Sequence, residues 1–346
     1  MFNIDCDILS KYEKIDKKMK KGVALYGAGQ NGRWCLKYLK KIGVNTKCFY
    51  DSFEDKIGTY IDQIPVLKWH EKSEDVILVT AKHCANKILE KIGEENAMSF
   101  DTWFIIRNLK AYGELSFYDS KSNEVKEALQ KAMIYGDDTQ LLSVVSENQY
   151  FCLPQFWGRM NETYVDVGAY VGDTVEKFIF EHNGCFNKIY AFEPGVIQNK
   201  ALNVRCNRLK NEWALSDDKI VIKNKAVGVR TASVKACENP QLQSLSVDYD
   251  VIAGGYDIQI VSLDNFFKHE VITFLKADIE GMEMEMLRGG EMVIKRDKPK
   301  IAICVYHKPD DLLEIYRLLK QWVPEYKMSL RQHSSQLVET VLYCYL

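Results

Sequence analysis

The chain has 346 residues, ten cysteines and a formal net charge of -2, with 47% hydrophobic and 27% charged residues. This is the composition of a globular protein with room for two domains. The near-neutral charge and the lack of a dense basic stretch argue against a nucleic-acid partner. No apolar run reaches membrane-spanning length and the first residues carry no basic-then-apolar leader, so a cytoplasmic protein with no membrane partner is expected. Scattered cysteines without a CxxC pair read as reduced thiols.

In chain order, an apolar run over 22–27 passes through Gly27-Ala28-Gly29-Gln30-Asn31-Gly32 into Trp34, Leu36, Tyr38, Leu39 and Ile42 at helical spacing. That pattern predicts strand, turn and helix. Further strands are predicted over 47–51 and 75–80, the latter followed by helical spacing at Ala85, Ile88, Leu89 and Ile92. Together they make a small Rossmann-like α/β domain over 1–107. Its GxGxxG turn and Asp51 at the next strand end make Gly27, Gly29, Gly32 and Asp51 a candidate second nucleotide site. The competing reading is a scaffold that keeps only the turn geometry.

Residues 108–160 read as a helical connector, with apolar residues at helical spacing over 124–146. It retains Tyr150, Phe151, Phe156 and Trp157, so it is expected to pack against a domain or cover a pocket.

A second α/β domain is predicted over 161–346, with strands at 163–167, 188–192, 220–227, 271–277 and 300–305. After a helix over 310–319, two β-rich segments, 325–331 and 337–346, flank a polar turn. The expected fold is a seven-stranded, mostly parallel sheet ending in an antiparallel hairpin. Its first turn, Asp166-Val167-Gly168-Ala169-Tyr170-Val171-Gly172-Asp173-Thr174, has GxxxG spacing, and the next strand ends in Phe192-Glu193-Pro194. Glycines admit an adenosine close to the backbone, and a carboxylate at the neighbouring strand tip can accept both ribose hydroxyls. An acid entering the turn, Asp166, suits a sulfonium cation better than a phosphate.

With Leu275-Lys276-Ala277-Asp278-Ile279-Glu280-Gly281-Met282-Glu283 and Leu287-Arg288-Gly289-Gly290 added, the chain from about residue 161 onward resembles the FkbM family of S-adenosylmethionine (SAM)-dependent methyltransferases. The resemblance implies the class I methyltransferase fold, SAM as cofactor and methyl transfer to a hydroxyl of a small molecule, a sugar or glycan precursor being favoured. It also implies SAM contacts from Asp166, Gly168, Ala169, Tyr170, Gly172, Asp173 and Thr174, with Glu193 and Pro194 at the ribose. Ala226 and Val227 are candidates for the adenine pocket, and Asp278 and Glu280 for the rim that faces the methyl group and acceptor.

An alcohol acceptor profits from a base within hydrogen-bond reach, and His307 is the preferred proton acceptor, with Asp278 or Glu280 orienting the acceptor or SAM. Arg331 and His333 at the terminal turn are weighed as acceptor contacts. Asp278, Glu280, Glu283 and His307 are cation-ligand types, but no dense ligand motif is present and no metal is expected. Two other functions remain open: an NAD-dependent oxidoreductase or sugar-nucleotide enzyme built on the GxGxxG domain, and a non-catalytic SAM or nucleotide sensor. A homo-oligomer is compatible with the sequence.

Overall fold

A computed structural model describes residues 4–70, 73–93, 95–239, 244–247 and 256–346. The N-terminal unit opens with helix α1 (Cys6–Met19) and forms a six-stranded sheet from β1 (Val23–Tyr26), β2 (Thr46–Asp51), β3 (Tyr60–Ile61), β4 (Ile64–Lys68), β5 (Ile77–Val79) and β6 (Ala97–Ser99). Its order is β3-β4-β2-β1-β5-β6. Every neighbouring pair is parallel except β3 with β4. β1 and β5 are buried along their whole length, as expected of strands covered on both faces. Strands β3, β4 and β6 were not expected. β4 contains Pro65 and is largely accessible, while β3 and β6 have only two and three residues, too short to show a period.

Helix α2 (Gln30–Lys41) follows the first glycine turn and α3 (Ala85–Ile92) follows β5. Helix α4 (Phe100–Gly113) runs through position 107 and buries Trp103, Phe104 and Ile105 completely. Helix α5 (Ser120–Tyr135) begins where Asp119 accepts from Ser122 N at 2.9 Å and ends at Gly136, whose φ of 63° suits a glycine terminator. The connector docks on the end of the chain: Tyr118 N donates to Met328 O at 2.8 Å, and Arg331 pairs with Asp119 at 3.0 Å.

The larger sheet comprises β7 (Thr163–Val167), β8 (Lys188–Phe192), β9 (Ile220–Lys223), β14 (Phe274–Ala277), β15 (Lys300–Cys304), β16 (Lys327–Gln332) and β17 (Thr340–Tyr345). A separate four-stranded sheet lies between β9 and β14 in the chain: β10 (Ala226–Val227), β11 (Ala232–Asn239), β12 (Ser244–Val247) and β13 (Tyr256–Val261). The large sheet has the order β16-β17-β15-β14-β7-β8-β9. Strands β15, β14, β7, β8 and β9 are mutually parallel and the β16–β17 hairpin adds antiparallel to β15, as the sequence implies. Val167 pairs with both Ala277 and Phe192, so three strand tips end at one level and their following residues share one crevice.

The expected strand over 220–227 is two strands in two sheets. Asn224 donates from Nδ2 to Glu193 O at 2.9 Å and Pro194 O at 3.1 Å, while Lys225 N turns back to Lys223 O at 2.8 Å. That turn releases Ala226–Val227 to pair with β13.

One cluster of buried side chains continues from the N-terminal unit into the larger one, including Leu36, Trp103, Leu275, Ile303 and Leu330. Across the same boundary Lys41 pairs with Asp310 at 2.8 Å and Glu314 at 3.2 Å. Nine of the ten cysteines are free thiols, Cys6, Cys35, Cys48, Cys84, Cys152, Cys185, Cys206, Cys304 and Cys344, and no helix among the described residues is long and apolar enough to cross a membrane.

Candidate active site at the strand tips

Gly168 opens the turn after β7 with φ of 78°, and a Cβ there would lie 1.9 Å from Asp278 O. Only glycine permits that approach of β7 to β14. Gly172, φ 84°, starts the helix Asp173–Glu181, and a Cβ there would meet Leu202 Cδ1 at 2.7 Å. The turn borders a cavity of about 480 Å³, within the size range of small-molecule sites. Of the sequence candidates, Gly168, Tyr170, Asp173, Thr174, Glu193, Pro194, Ala226, Val227, Asp278 and Glu280 line it.

Glu193 is 7% exposed at the tip of β8. Its Oε1 accepts from Gly195 N at 2.7 Å and its Oε2 from Tyr170 N at 2.8 Å. Burial nevertheless raises its pKa to about 7. Each carboxylate oxygen keeps a second lone pair, so the backbone bonds aim the group without exhausting it as an acceptor.

Asp166, Ala169 and Gly172 are not on the cavity wall. Asp166 is fully buried, with Oδ1 3.0 Å from Lys276 Nζ and its other oxygen accepting from Thr174 Oγ1. Lys276 also donates to Gly168 O at 2.7 Å. Asp166 therefore supports the turn from below instead of meeting a sulfonium. Ala169 is equally buried, its N–H bonded to Phe192 O at 3.0 Å.

Opposite Glu193, the tip of β14 gathers ionisable groups around His307. Its Nδ1 lies 3.0 Å from Glu283 Oε1, and its Nε2 lies 3.5 Å from Asp278 Oδ1 and 3.9 Å from Glu280 Oε2. Burial alone would lower the imidazole pKa, but Glu283, Asp278 and Glu280 outweigh it and push it up to about 10. His307 thus holds its proton at neutral pH and is only 5% exposed behind the cavity wall. A free imidazole base was expected here; the surrounding carboxylates favour the protonated ring.

Asp278 accepts from Tyr150 Oη at 2.8 Å. Burial raises its pKa, but His307 and Lys276 outweigh this and hold it below the ordinary carboxylate range. Glu280, by contrast, is raised by desolvation at the cavity wall and by the neighbouring Asp278 and Glu283 carboxylates although its side chain is 54% exposed, and its backbone is left-handed with φ of 54°. Glu339, immediately before β17, is likewise raised by burial and by Asp278. Gln149 donates to Glu339, and Tyr306 Oη lies 3.4 Å from it.

Lys276, Gln149, Tyr150, Tyr306 and Glu339 line the cavity and were not among the sequence candidates for the site. A lysine inside an apolar central strand, two residues before Asp278, is the one available signal for Lys276. Tyr150 also fulfils the expectation that the connector covers a pocket. Arg331 and His333 do not reach the site: Arg331 bonds Asp119 and Ser122, and His333 spans Ser146 O at 2.6 Å and Tyr343 Oη at 2.9 Å.

In the N-terminal unit, Asp51 is 5% exposed and turned toward its own loop. Its Oδ2 accepts from Ala28 N at 2.7 Å and its Oδ1 from Phe53 N at 3.0 Å. A Cβ at Gly32 would lie 2.0 Å from Gly27 O, whereas one at Gly29 would meet nothing within 4 Å. Gly27, Gly32 and Asp51 thus serve the packing of the turn. Helix α2 also abuts the larger unit: Trp34 packs edge-on against His307, ring centroids 6.2 Å apart, and a Cβ at Gly281 would meet Trp34 at 3.0 Å.

Residues 166–326 match the family described as the methyltransferase FkbM domain. The fold is similar to that of the methyltransferase FkbM from Methylobacillus flagellatus KT, with 21% identity and a TM-score of 0.59 over 99% of this chain and 94% of that one. An rRNA methylase from Streptococcus thermophilus matches at 17% identity and TM-score 0.33, over 54% of this chain and 86% of its own. Fibrillarin from Aeropyrum pernix, solved with natively bound S-adenosyl-L-methionine, matches at 11% identity and TM-score 0.30, over 56% of this chain and 70% of its own. No curated protein sequence matches the chain.

Proposed function

Residues 166–326 belong to the FkbM methyltransferase family, and from that premise we propose that the protein is a SAM-dependent O-methyltransferase acting on a hydroxyl-rich small molecule, a sugar or glycan precursor. The observation that carries this reading is that the glycine turn, Glu193 and the Asp278–Glu280 rim border one cavity of about 480 Å³. The residues fit the cofactor: Glu193 is a buried carboxylate with spare lone pairs for ribose hydroxyls, and Phe192, Ala226 and Val227 supply apolar wall for an adenine. SAM supplies a methyl group already activated on a sulfonium.

This chain's residues then have to align the acceptor and take its proton. Asp278, Glu280, Glu339, Gln149 and Tyr306 offer hydrogen-bond acceptors along the cavity, which suits the many donors of a sugar. Positioning for in-line attack supplies much of the rate, since effective molarities of well-oriented groups are large. Glu339 is the assigned proton acceptor, because its raised pKa makes it a better base than Asp278. His307 steadies Asp278 and Glu280 with its positive charge. The close packing of Gly32 against the carbonyl of Gly27 and the salt bridge of Lys56 to Asp51 Oδ2 at 3.5 Å favour a scaffold over a dinucleotide site in the N-terminal unit.

The test is a methyl-transfer assay with labelled SAM against a panel of free and nucleotide-linked sugars, beside calorimetric titration with S-adenosylhomocysteine. Binding at unit stoichiometry with label in a sugar hydroxyl supports the reading. No binding by the folded full chain rejects it.

A further inference from the structure

The cluster around His307 has more ligating chemistry than methyl transfer from a sulfonium requires. Donor atoms of Asp278, Glu283 and His307 all lie within 4.8 Å of one another. The two ring nitrogens of an imidazole diverge, so a single ion cannot use both, and the geometry separates their roles. Nδ1 faces Glu283 at 3.0 Å, while Glu283 Oε1 is itself fixed by Ile279 N at 2.9 Å. Nε2 faces the opposite way, toward Asp278 at 3.5 Å and Glu280 at 3.9 Å. A carboxylate that receives one ring N–H and thereby orients the other nitrogen is the usual second partner of a metal-bound histidine.

His307 is 5% exposed, and apart from the 3.0 Å ion pair of Nδ1 with Glu283 neither ring nitrogen has a hydrogen-bond partner among the described residues. Nε2 points at two carboxylates that line the cavity. Two donors each about 2.1 Å from one ion stand about 3.0–3.4 Å apart, so His307 and Asp278, 3.5 Å apart, need only a small closure, and Glu280 completes the site by swinging toward them. The Glu280 side chain is 54% exposed and free to make that swing.

We propose that Asp278, Glu280 and His307 Nε2 form a site for one divalent transition-metal cation, which displaces the Nε2 proton to solvent and takes over the positive charge of the ring, with Glu283 as the positioning residue behind His307. Two oxygens and one imidazole nitrogen suit Mn²⁺ or a similar ion better than Ca²⁺, which prefers an all-oxygen shell. The remaining coordination positions face the cavity. That the ion meets a methyl acceptor there rests on the function proposed above; that the site binds metal does not.

The test titrates the full chain with Mn²⁺, reading free ion by electron paramagnetic resonance and ligation by the nitrogen modulation of the bound ion. One Mn²⁺ per chain is expected, with a histidine nitrogen signal that His307→Gln abolishes. Asp278→Asn and Glu280→Gln should each weaken binding at least tenfold, while Glu212→Gln, at the opposite end of the helix Val196–Glu212 from the cavity-lining Gln198, should leave it unchanged. Glu280→Gln guards against misfolding as an explanation, since its side chain is largely exposed. An undiminished free-Mn²⁺ signal, or binding equal in all variants, would overturn the site. Titration with S-adenosylhomocysteine on the same samples reads the cofactor assignment separately.

Discussion

Lys276 reaches Asp166 at 3.0 Å directly beneath the glycine turn, with 3% and 0% of their side chains exposed. The pair ties β14 to β7, and Lys276 continues to the carbonyl of Gly168 at 2.7 Å. Removing one partner leaves a buried charge uncompensated. Asp166→Ala is expected to destabilise the protein by about 3–5 kcal/mol, measured by urea unfolding. Asp166→Leu combined with Lys276→Met should recover most of that loss; a double variant as unstable as the single one would show that the charges themselves are not the issue.

The cavity should bind an adenosine ligand in a pH-dependent way through Glu193. Its pKa is raised to about 7 by burial, so ribose hydroxyls meet a carboxylate above that pH and a carboxylic acid below it. Binding favours the ionised form, and affinity therefore falls as pH drops. Between pH 8 and pH 6, S-adenosylhomocysteine should bind about tenfold more weakly, and Glu193→Gln should flatten the profile. Calorimetry at the two pH values decides it; an unchanged slope in the variant would assign the titration elsewhere.

The connector's grip on the terminal hairpin should fail in acid. Burial pushes the Asp119 carboxyl up, but hydrogen bonds from Arg331, Ser329 and Ser122 outweigh it and hold it near about 2. A depressed folded pKa stabilises the protein above the unfolded value, near about 4, and that stabilisation is lost as pH falls through about 2. The melting-temperature difference between the native protein and Asp119→Asn should therefore be full at pH 5 and shrink steadily below pH 4. A difference independent of pH would mean that the ion pair contributes nothing to it.

Two glycines of the first turn make a paired prediction. Gly32→Ala pushes a methyl to 2.0 Å from Gly27 O and should lower the melting temperature by several degrees, whereas Gly29→Ala meets nothing and should be near neutral. If the turn is a scaffold, Gly29→Ala also keeps full methyl-transfer activity. Loss of activity with stability intact would restore a ligand to the N-terminal unit.

Proton transfer to Glu339 predicts that Glu339→Gln lowers kcat by about 10²–10⁴-fold with little change in cofactor affinity. Stopped-flow and titration on the same preparation separate the two. A variant with near-normal kcat would remove Glu339 from that role.

The parts legible in the sequence are those set by local period and turn chemistry. The strands beside both glycine turns, the carboxylates at the strand tips and the closing hairpin were all readable, because each signal lies within about ten residues. The four-stranded insertion was not: β10 has two residues, and it separates from β9 only because Asn224 bonds to the Glu193–Pro194 loop, thirty residues earlier. His307 shows the same limit in chemistry. Its neighbours in the chain suggest an ordinary titrating imidazole, and only the folded approach of Glu283, Asp278 and Glu280 fixes its charge. Glu339 lies far beyond Asp278 in the chain and joins it through the antiparallel return of β17 to β15.

The shared core has a practical corollary for dissecting the protein. Since Leu36 and Trp103 belong to the same buried cluster as Leu275, Ile303 and Leu330, a cut between the units would bare apolar faces on both fragments. Excising 161–346 as a minimal enzyme should yield an aggregating fragment, and the intact chain should melt in one transition instead of two. The N-terminal unit is then a cofolding partner of the larger one.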